Sequence, residues 1–335
     1  PGTKFVTLGG ALANDIHGKN HHRAGTFGNH VTKFGLLRSS GEYFTCSPTD
    51  HAELFRATIG GLGLTGLIVW VEIRLIPIPS PYLDTRNIKF ANLDEFLAIS
   101  LATDPVFDYS VAWVDCIADG PSMGRGIFMA GNFAQTRPSR KPSKLSLSIP
   151  MDAPSFVLNP FSMKAFNTIY YNLQRSKTVD ALTHYEPFFY PLDSVLHWNR
   201  IYGKRGFFQY QLIVPFGDQG AALKEIFSYI SRSRRASFLA VLKTFGDIES
   251  PGLLSFPRKG ATLALDFPNE GRSTFKLMDD LDRIVSEAGG ALYPAKDARM
   301  SPSIFEQSFP RLAEFEKWID PRFSSSFWRR VRGNT

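Results

Sequence analysis

Cysteine is nearly absent from this chain of 335 residues: Cys46 and Cys116 are the only two, and they lie far apart. That excludes a zinc cluster built on cysteine spacing and a small domain held by a disulfide framework, and it leaves the redox compartment undecided. Long apolar runs are missing as well. The longest, Leu62 to Val71, is broken by Gly63, Thr65 and Gly66, short of the ~18 apolar residues that a bilayer-crossing helix takes. Any membrane contact is therefore expected to be peripheral. The opening residues lack an initiator methionine, a basic stretch and an apolar signal core. Pro1 leads straight into an expected strand, Lys4 to Leu8, so a further segment is expected upstream.

What is present is the composition of a folded chain. Hydrophobic residues make up 43% and charged residues 21%, which excludes a largely disordered protein, and the length is that of about two domains. Phenylalanine is abundant, with 29 copies, as the walls of a cap domain or of a lipid-facing groove require. The net charge of +7 and pI of about 9.3 are compatible with nucleic acid, an anionic membrane or a phosphorylated substrate. The basic residues are not gathered in a recognition helix or an aromatic-basic sheet motif, so nucleic acid is not expected as a partner.

The stretch from Thr7 to Val31, TLGGALANDIHGKNHHRAGTFGNHV, sets Gly9, Gly10, Gly18, Gly25 and Gly28 among four histidines. Glycine lets a backbone turn through positive φ and lets main-chain N–H groups approach a bulky or anionic ligand. A second cluster, Gly60, Gly61, Gly63 and Gly66, leads into an apolar strand. Two such turns beside strands describe two loops over one large ligand, or structural turns alone. His17, His21 and His22 raise the question of zinc. Gly18 works against the helix that a histidine pair four apart needs, and no metal is expected.

Periodicity and punctuation place a helix over Ala52 to Thr58, capped by Asp50 and ended at Gly60-Gly61, then a strand from Leu67 to Pro77. Pro79-Ser80-Pro81 marks a boundary. Beyond it follow a strand (Leu83 to Phe90), a helix opened by Asn92 and two strands (Tyr109 to Ile117, Gly126 to Phe133). The order returns as a strand (Phe207 to Pro215), a helix (Gln219 to Ser231), two strands (Ser237 to Phe245, Ala261 to Phe267) and a helix (Thr274 to Ala288). This repeat predicts an α+β fold with one mostly antiparallel sheet and helices on one face over residues 80–290. A unit at 1–79 precedes it, and a tail at 291–335 is expected to pack back on that unit. Residues 135–193 read as a long irregular insertion. Its first part has Arg137, Arg140, Lys141 and Lys144 with no acidic residue, and its second part, Phe156 to Leu173, is aromatic. That is the make-up of a membrane-contacting loop or of an ordinary solvated one.

Four separated motifs, GGALANDIHGKNHHRAGTFGNHV, TIGGLGLTGLI, FFQYQLIVP and LYPAKDAR, occur in an order that resembles the vanillyl-alcohol-oxidase family of FAD-linked oxidases. Within it, the likeness is to the branch acting on polyprenylphosphoryl ribose. The resemblance implies a partial PCMH-type FAD-binding domain at 1–79, a substrate (cap) domain at 80–290 and a return to the FAD-binding domain at 291–335. It implies FAD contacts from Gly2, Thr7, Leu8, Gly9, Gly10, Asn14, Asp15, Ile16, His17, Ile68 and Tyr293. It also implies a substrate pocket at Tyr190, Gln209, Gln211 and Lys243, with Lys296 of the AKD turn beside both flavin and substrate. The activity implied is oxidation of the ribose 2′-hydroxyl of a polyprenylphosphoryl-β-D-ribose to a ketone. That is the first half of an epimerisation toward the arabinose donor of cell-wall glycans, with a short-chain reductase as partner. The place implied is peripheral to the bacterial inner membrane, on either face. Asn14 and Ala264 stand where cysteines are usual in the family, and Leu62 where asparagine is usual.

Such an oxidation needs a hydride acceptor, removal of the hydroxyl proton and a cation near the reduced ring. Lys296 would supply the cation. His17 would orient the sugar or move the proton, or else is a backbone-bonded histidine beside the flavin; both readings stand. Gln209 and Gln211 alternate with Tyr210 on a strand and share a face, where paired amides suit sugar hydroxyls. Lys243, on a neighbouring strand, would meet a phosphate as a point charge. An oxidase of a soluble alditol or aldonolactone, and a non-catalytic binding protein, are the alternatives.

Overall fold

The computed structural model describes residues 1–135, 147–154, 159–217, 220–233, 235, 237, 239–297 and 299–333. Arg137, Arg140, Lys141 and Lys144 of the basic stretch, and Gln219 at the start of an expected helix, lie outside the described residues.

Helix α1 (Leu8–Ala13) and a single turn α2 (His21–Ala24) precede strands β1 (Val31–Leu37) and β2 (Tyr43–Cys46), helix α3 (Ala52–Thr58) and strand β3 (Leu67–Ile73). The strands form an antiparallel sheet in the order β2-β1-β3. Leu12, Phe34, Leu36, Leu54, Phe55 and Ile59 form its core, with Phe34 stacked on Phe55 at 5.4 Å. The expected strand at Lys4 to Leu8 is absent. Thr7 Oγ1 accepts from the Gly10 N–H at 3.1 Å, and this cap draws Leu8 into α1. Asp50 does not cap α3 either. His51, at φ +48°, is the N-cap residue and offers no side-chain bond, while the Asp50 N–H donates to Ser47 Oγ.

The second unit runs β4 (Tyr82–Phe90), α4 (Leu93–Thr103), β5 (Tyr109–Val114), β6 (Gly126–Phe133), β7 (Leu147–Ser148), α5 (Pro160–Leu173), β8 (Thr178–His184), α6 (Tyr185–Phe189) and β9 (Val195–Leu196). It continues with β10 (Phe207–Val214), α7 (Ala221–Ser233), β11 (Val241–Phe245), β12 (Gly260–Pro268) and α8 (Arg272–Glu287). The tail adds β13 (Ala291–Leu292), α9 (Pro302–Ser308), α10 (Leu312–Glu316) and α11 (Ser326–Val331). Eight strands make one antiparallel sheet in the order β13-β10-β12-β11-β5-β6-β4-β8, so the chain is α+β. The unit β4-α4-β5-β6 recurs as β10-α7-β11-β12. The two halves meet in a short ladder, Val241 with Trp113 and Leu242 with Ala112.

Alternation along these strands decides what each sheet face does. Ala112, Val114, Tyr210, Leu212, Leu242, Leu263 and Leu265 face one core with Phe96 of α4, Phe227 of α7 and Leu281 of α8. α8 fits because Leu277, Met278, Leu281, Ile284 and Val285 fall on a single stripe. α4 starts where Asn92 Oδ1 accepts from the Glu95 N–H at 3.0 Å.

Helices were expected on this face alone, and α5 corrects that. Its Tyr170 packs at 4.6 Å against Trp113, which points to the side opposite Ala112 and Val114. The expected irregular insertion therefore contains a helix, opened by Asn159 and Pro160, and the edge strand β8 paired to β4. The tail touches both units. β13 pairs with β10, while Arg38 donates to the carbonyls of Thr65 and Trp318 and pairs with Asp320 at 3.2 Å. Among the described residues no helix is long and apolar enough to cross a membrane.

Candidate active site

The sheet face opposite α4, α7 and α8 carries polar side chains. Ladder pairing puts Gln209 against Asp266, Gln211 against Ala264 and Lys243 against Thr262, all on this side. The loop after α1 lies over it. His17 reaches Gln211, whose amide donates from Nε2 to His17 Nε2 at 2.9 Å and to Thr262 Oγ1 at 3.1 Å. Because the amide nitrogen is a donor, Nε2 of His17 is the acceptor and the ring proton belongs on Nδ1. That Nδ1 is buried and has no hydrogen-bond partner among the described residues. Phe245 and Tyr293 pack on the ring at 4.9 and 5.1 Å. Burial, with Lys243 and Lys296 nearby, holds the His17 pKa well below the ordinary imidazole value, so His17 is neutral.

Lys296 ends a short turn, Pro294 to Lys296, directly after β13. Burial lowers its pKa, and Asp266 works against that lowering. The Asp266 carboxyl accepts from Gln209 Nε2 at 3.1 Å and is lifted by burial to about 6, against the pull of Lys296 and Gln209. Lys243 is brought down to about 7 by burial, then by Lys296 and Lys19. Lys19 donates to the Phe188 carbonyl, sits 4.7 Å from that ring and is lowered by burial to about 8. Three ammonium groups thus share one region with the Asp266 carboxyl, which favours an anionic ligand there.

The loop is held from below. Asp15, at φ +41°, is fully buried; its carboxylate accepts from the Gly28 N–H at 2.8 Å and from the hydroxyls of Ser250 and Ser255. Burial raises its pKa, while these donors oppose the rise. A Cβ at Gly28 would lie 2.6 Å from Ile59 Cγ2 and 2.9 Å from Asp15 Oδ1, so glycine is required for this approach.

The structure brings together His17, Gln209, Gln211, Lys243, Lys296 and Tyr293. The Tyr293 N–H donates to the Gln211 carbonyl at 2.9 Å, and its hydroxyl donates to the Asn14 carbonyl at 3.3 Å. Asn14 Nδ2 in turn closes α1 onto the Gly10 carbonyl, and Ile16 exchanges backbone bonds with Ala11 and Phe27. Gly9 lies beside Ile68 of β3, and Thr7 and Leu8 are exposed next to them. The Asp15 carboxylate is spent inside the protein, which leaves only its backbone for any cofactor. Gly2 is exposed with open space around it. Tyr190 lies among Phe189, Glu186, Asp193 and Lys4, two residues beyond the Phe188 that Lys19 contacts.

Sequence reasoning missed Lys19, Asp266 and Thr262. Thr262 and Asp266 alternate with Leu263 and Leu265, and that parity was the available signal. Of the other histidines, His21 packs on the same Phe245 ring at 4.3 Å and feels the charge of Lys243, while His22 Nε2 meets the Phe107 carbonyl at 2.8 Å. Among the described residues no cluster of His, Cys, Asp and Glu is placed to hold a metal.

Comparison with known proteins gives the chain its relatives. It is 37% identical to decaprenylphosphoryl-β-D-ribose oxidase of Mycolicibacterium smegmatis, with 99% of this chain and 75% of that protein aligned. An uncharacterised Streptomyces coelicolor protein, from the mprA 5′ region, is 31% identical over 99% of this chain and 94% of its own. Cytokinin dehydrogenase 9 of Oryza sativa is 30% identical over 32% of this chain and 21% of its own. No family model matches the chain. With likeness at that level along nearly its whole length, the chain belongs to the decaprenylphosphoryl-β-D-ribose oxidase-like family of FAD-linked oxidoreductases.

Proposed function

We propose that this protein uses FAD to oxidise the 2′-hydroxyl of a polyprenylphosphoryl-β-D-ribose to the 2′-keto sugar. The observation that carries the reading is the joint placement of two amides, a neutral imidazole and three lysines on one sheet face, beside the segment that the family resemblance assigns to the flavin. The residues present fit that cofactor. The start of α1 is exposed at Leu8 and leans on β3 through Gly9 and Ile68, and Tyr293 ties the same loop to β10. FAD supplies the two-electron acceptor for the hydride.

Thr7, Leu8, Gly9, Gly10, Asn14, Ile16, His17, Ile68 and Tyr293 would hold it, with residues 1–79 and 291–335 forming a PCMH-type binding unit and 80–290 the cap. Lys296 places a positive charge where negative charge develops. Gln209 and Gln211 orient the sugar hydroxyls, and His17, neutral and fixed through Gln211, offers its Nδ1–H to the sugar as a donor. Lys243 and Lys19 meet the phosphate. The ketone so formed requires a reductase to complete an epimerisation toward an arabinose donor, and the lipid-linked substrate calls for contact with a membrane surface.

The test is the visible spectrum of the full-length gene product loaded with FAD, followed anaerobically as a polyprenylphosphoryl ribose is added. Flavin bands that bleach in the wild type and persist in Lys296→Met support the reading. Bands that never respond to this substrate, but bleach with a soluble alditol, overturn it.

A further inference from the structure

We propose that the outward face of α5 is a docking surface for an anionic lipid bilayer. The helix keeps most of its apolar surface outside. Its protein-facing side sets buried Met163, and Tyr170 on Trp113, beside polar bonds: Asn167 donates from Nδ2 to Asp115 Oδ1 at 2.8 Å, and Arg125, paired with Asp115 at 3.0 Å, also reaches Thr168 Oγ1 at 3.3 Å. Its outer side is apolar. Phe161 is 86% exposed, Ile169 62% and Leu173 72%, with Phe166 and Tyr170 also exposed. At 100° per residue, Phe161, Ala165, Ile169 and Leu173 form a ridge that Phe166 widens, bordered by Tyr170 where the helix meets Trp113. A contiguous apolar face of this kind, held in place by polar bonds behind it, marks an interaction site.

Charge selects the occupant. Lys164 is the only charged residue of α5, Arg175 follows it, and no acidic residue occurs from Pro160 to Val179; Lys177 is the one cation of this stretch spent on a carboxylate, that of Glu95. Lys89 lies over the Tyr171 ring at 4.1 Å at the same end. Aromatic and aliphatic side chains fringed by cations suit lipid headgroups of negative charge. A second copy of the chain would set this positive fringe against itself. Position agrees as well. Tyr170 rests on Trp113, Trp113 pairs with Val241 across the sheet, and Lys243 follows on the same face. A bilayer seated on α5 lies alongside the substrate face. The choice of a lipid surface over a soluble partner rests on the lipid-linked substrate proposed above.

The experiment is co-sedimentation of the FAD-loaded protein with vesicles of phosphatidylcholine containing about one third phosphatidylglycerol, and with pure phosphatidylcholine, without any sugar substrate. The expected result is binding to the anionic vesicles that falls roughly tenfold or more in the double variant Ile169→Ser, Leu173→Ser, and severalfold in Lys164→Glu. Both variants alter exposed side chains, and circular dichroism confirms their folding. Absence of vesicle binding by the wild type overturns the proposal, as does binding that the variants leave unchanged. Sedimentation velocity without lipid supplies a further arm: a dimer that the double variant dissolves shows a self-interface and overturns it too. Oxidation of a short-chain, water-soluble prenylphosphoryl ribose is measured separately and stays unchanged in the variants. If that oxidation is missing from wild type while vesicle binding behaves as expected, the oxidase reading fails and the docking surface stands.

Discussion

The two faces of the eight-stranded sheet are built from the same strands and do opposite work. On β10 and β12 the residues Tyr210, Leu212, Leu263 and Leu265 sit in a closed apolar core under three helices. Their immediate neighbours Gln209, Gln211, Thr262 and Asp266 sit under a loop with lysines whose charge burial has weakened. One face lowers the free energy of the fold by removing apolar area from water. The other accepts the cost of partly desolvated charge and keeps groups that titrate near neutrality. The difference teaches that stability and chemistry here are separated by one step of side-chain alternation, not by distance along the chain.

The comparison is broken most severely on the apolar face. Phe227→Ala, at a fully buried position, costs about 3–5 kcal/mol in urea denaturation, and because no titrating group is involved the loss is the same at acid and neutral pH. On the polar face Lys296→Met slows substrate-driven flavin reduction by about 10²–10³-fold in stopped-flow measurements, with little change in the melting temperature. A matching loss of stability in that variant would erase the distinction between the faces. Asp15→Ala lies between the two. It leaves the Gly28 N–H and two serine hydroxyls without their acceptor and costs about 1–3 kcal/mol by thermal denaturation.

Acid–base behaviour sharpens the contrast at smaller amplitude. With Lys243 at about 7, kcat/KM for a phosphorylated substrate falls roughly tenfold between about pH 6 and 8, and Lys243→Met flattens the profile. The sign for stability runs the other way. The unfolded chain holds the Lys243 proton up to its ordinary 10.5, so this group's contribution to stability rises from about pH 7 upward. Asp266, lifted from 3.8 to about 6, contributes stability below that window and loses it as pH climbs through it. Melting temperatures of Lys243→Met and Asp266→Asn across pH, compared with wild type, check both slopes.

Much of this was legible in the sequence because it is local. Alternation in FFQYQLIV put Gln209 and Gln211 on one face, and Asn92 announced α4. α5 was not legible as part of the fold, since most of its apolar residues point away from the protein and only Met163 and Tyr170 turn in; Asn159-Pro160 alone betrayed its start. The strand expected at Lys4 to Leu8 does not form: Thr7 caps α1 and takes Leu8 into it, and Gly9 and Gly10 hid the helix that follows. Asp266 joins Lys296, and Lys19 joins Phe188, across long stretches of chain; no window of sequence shows such meetings. The burial of the Asp15 carboxylate depends on Ser250 and Ser255, equally remote.

The short ladder between β5 and β11 gives the sheet a mechanical character of its own. Within each half, strands are riveted over long registers, as in β4 with β6 and β10 with β12. At the seam the ladder among the described residues is short: Val241 pairs with Trp113 and Leu242 with Ala112, and the Val114 N–H adds a bond to the Ala240 carbonyl. Torsion of the sheet therefore concentrates there, where the fewest rungs resist it. Trp113 stands on one side of that seam and Lys243 on the other, so whatever strain the sheet takes up at this joint is felt first by the floor of the site, while the registers of both halves stay fixed.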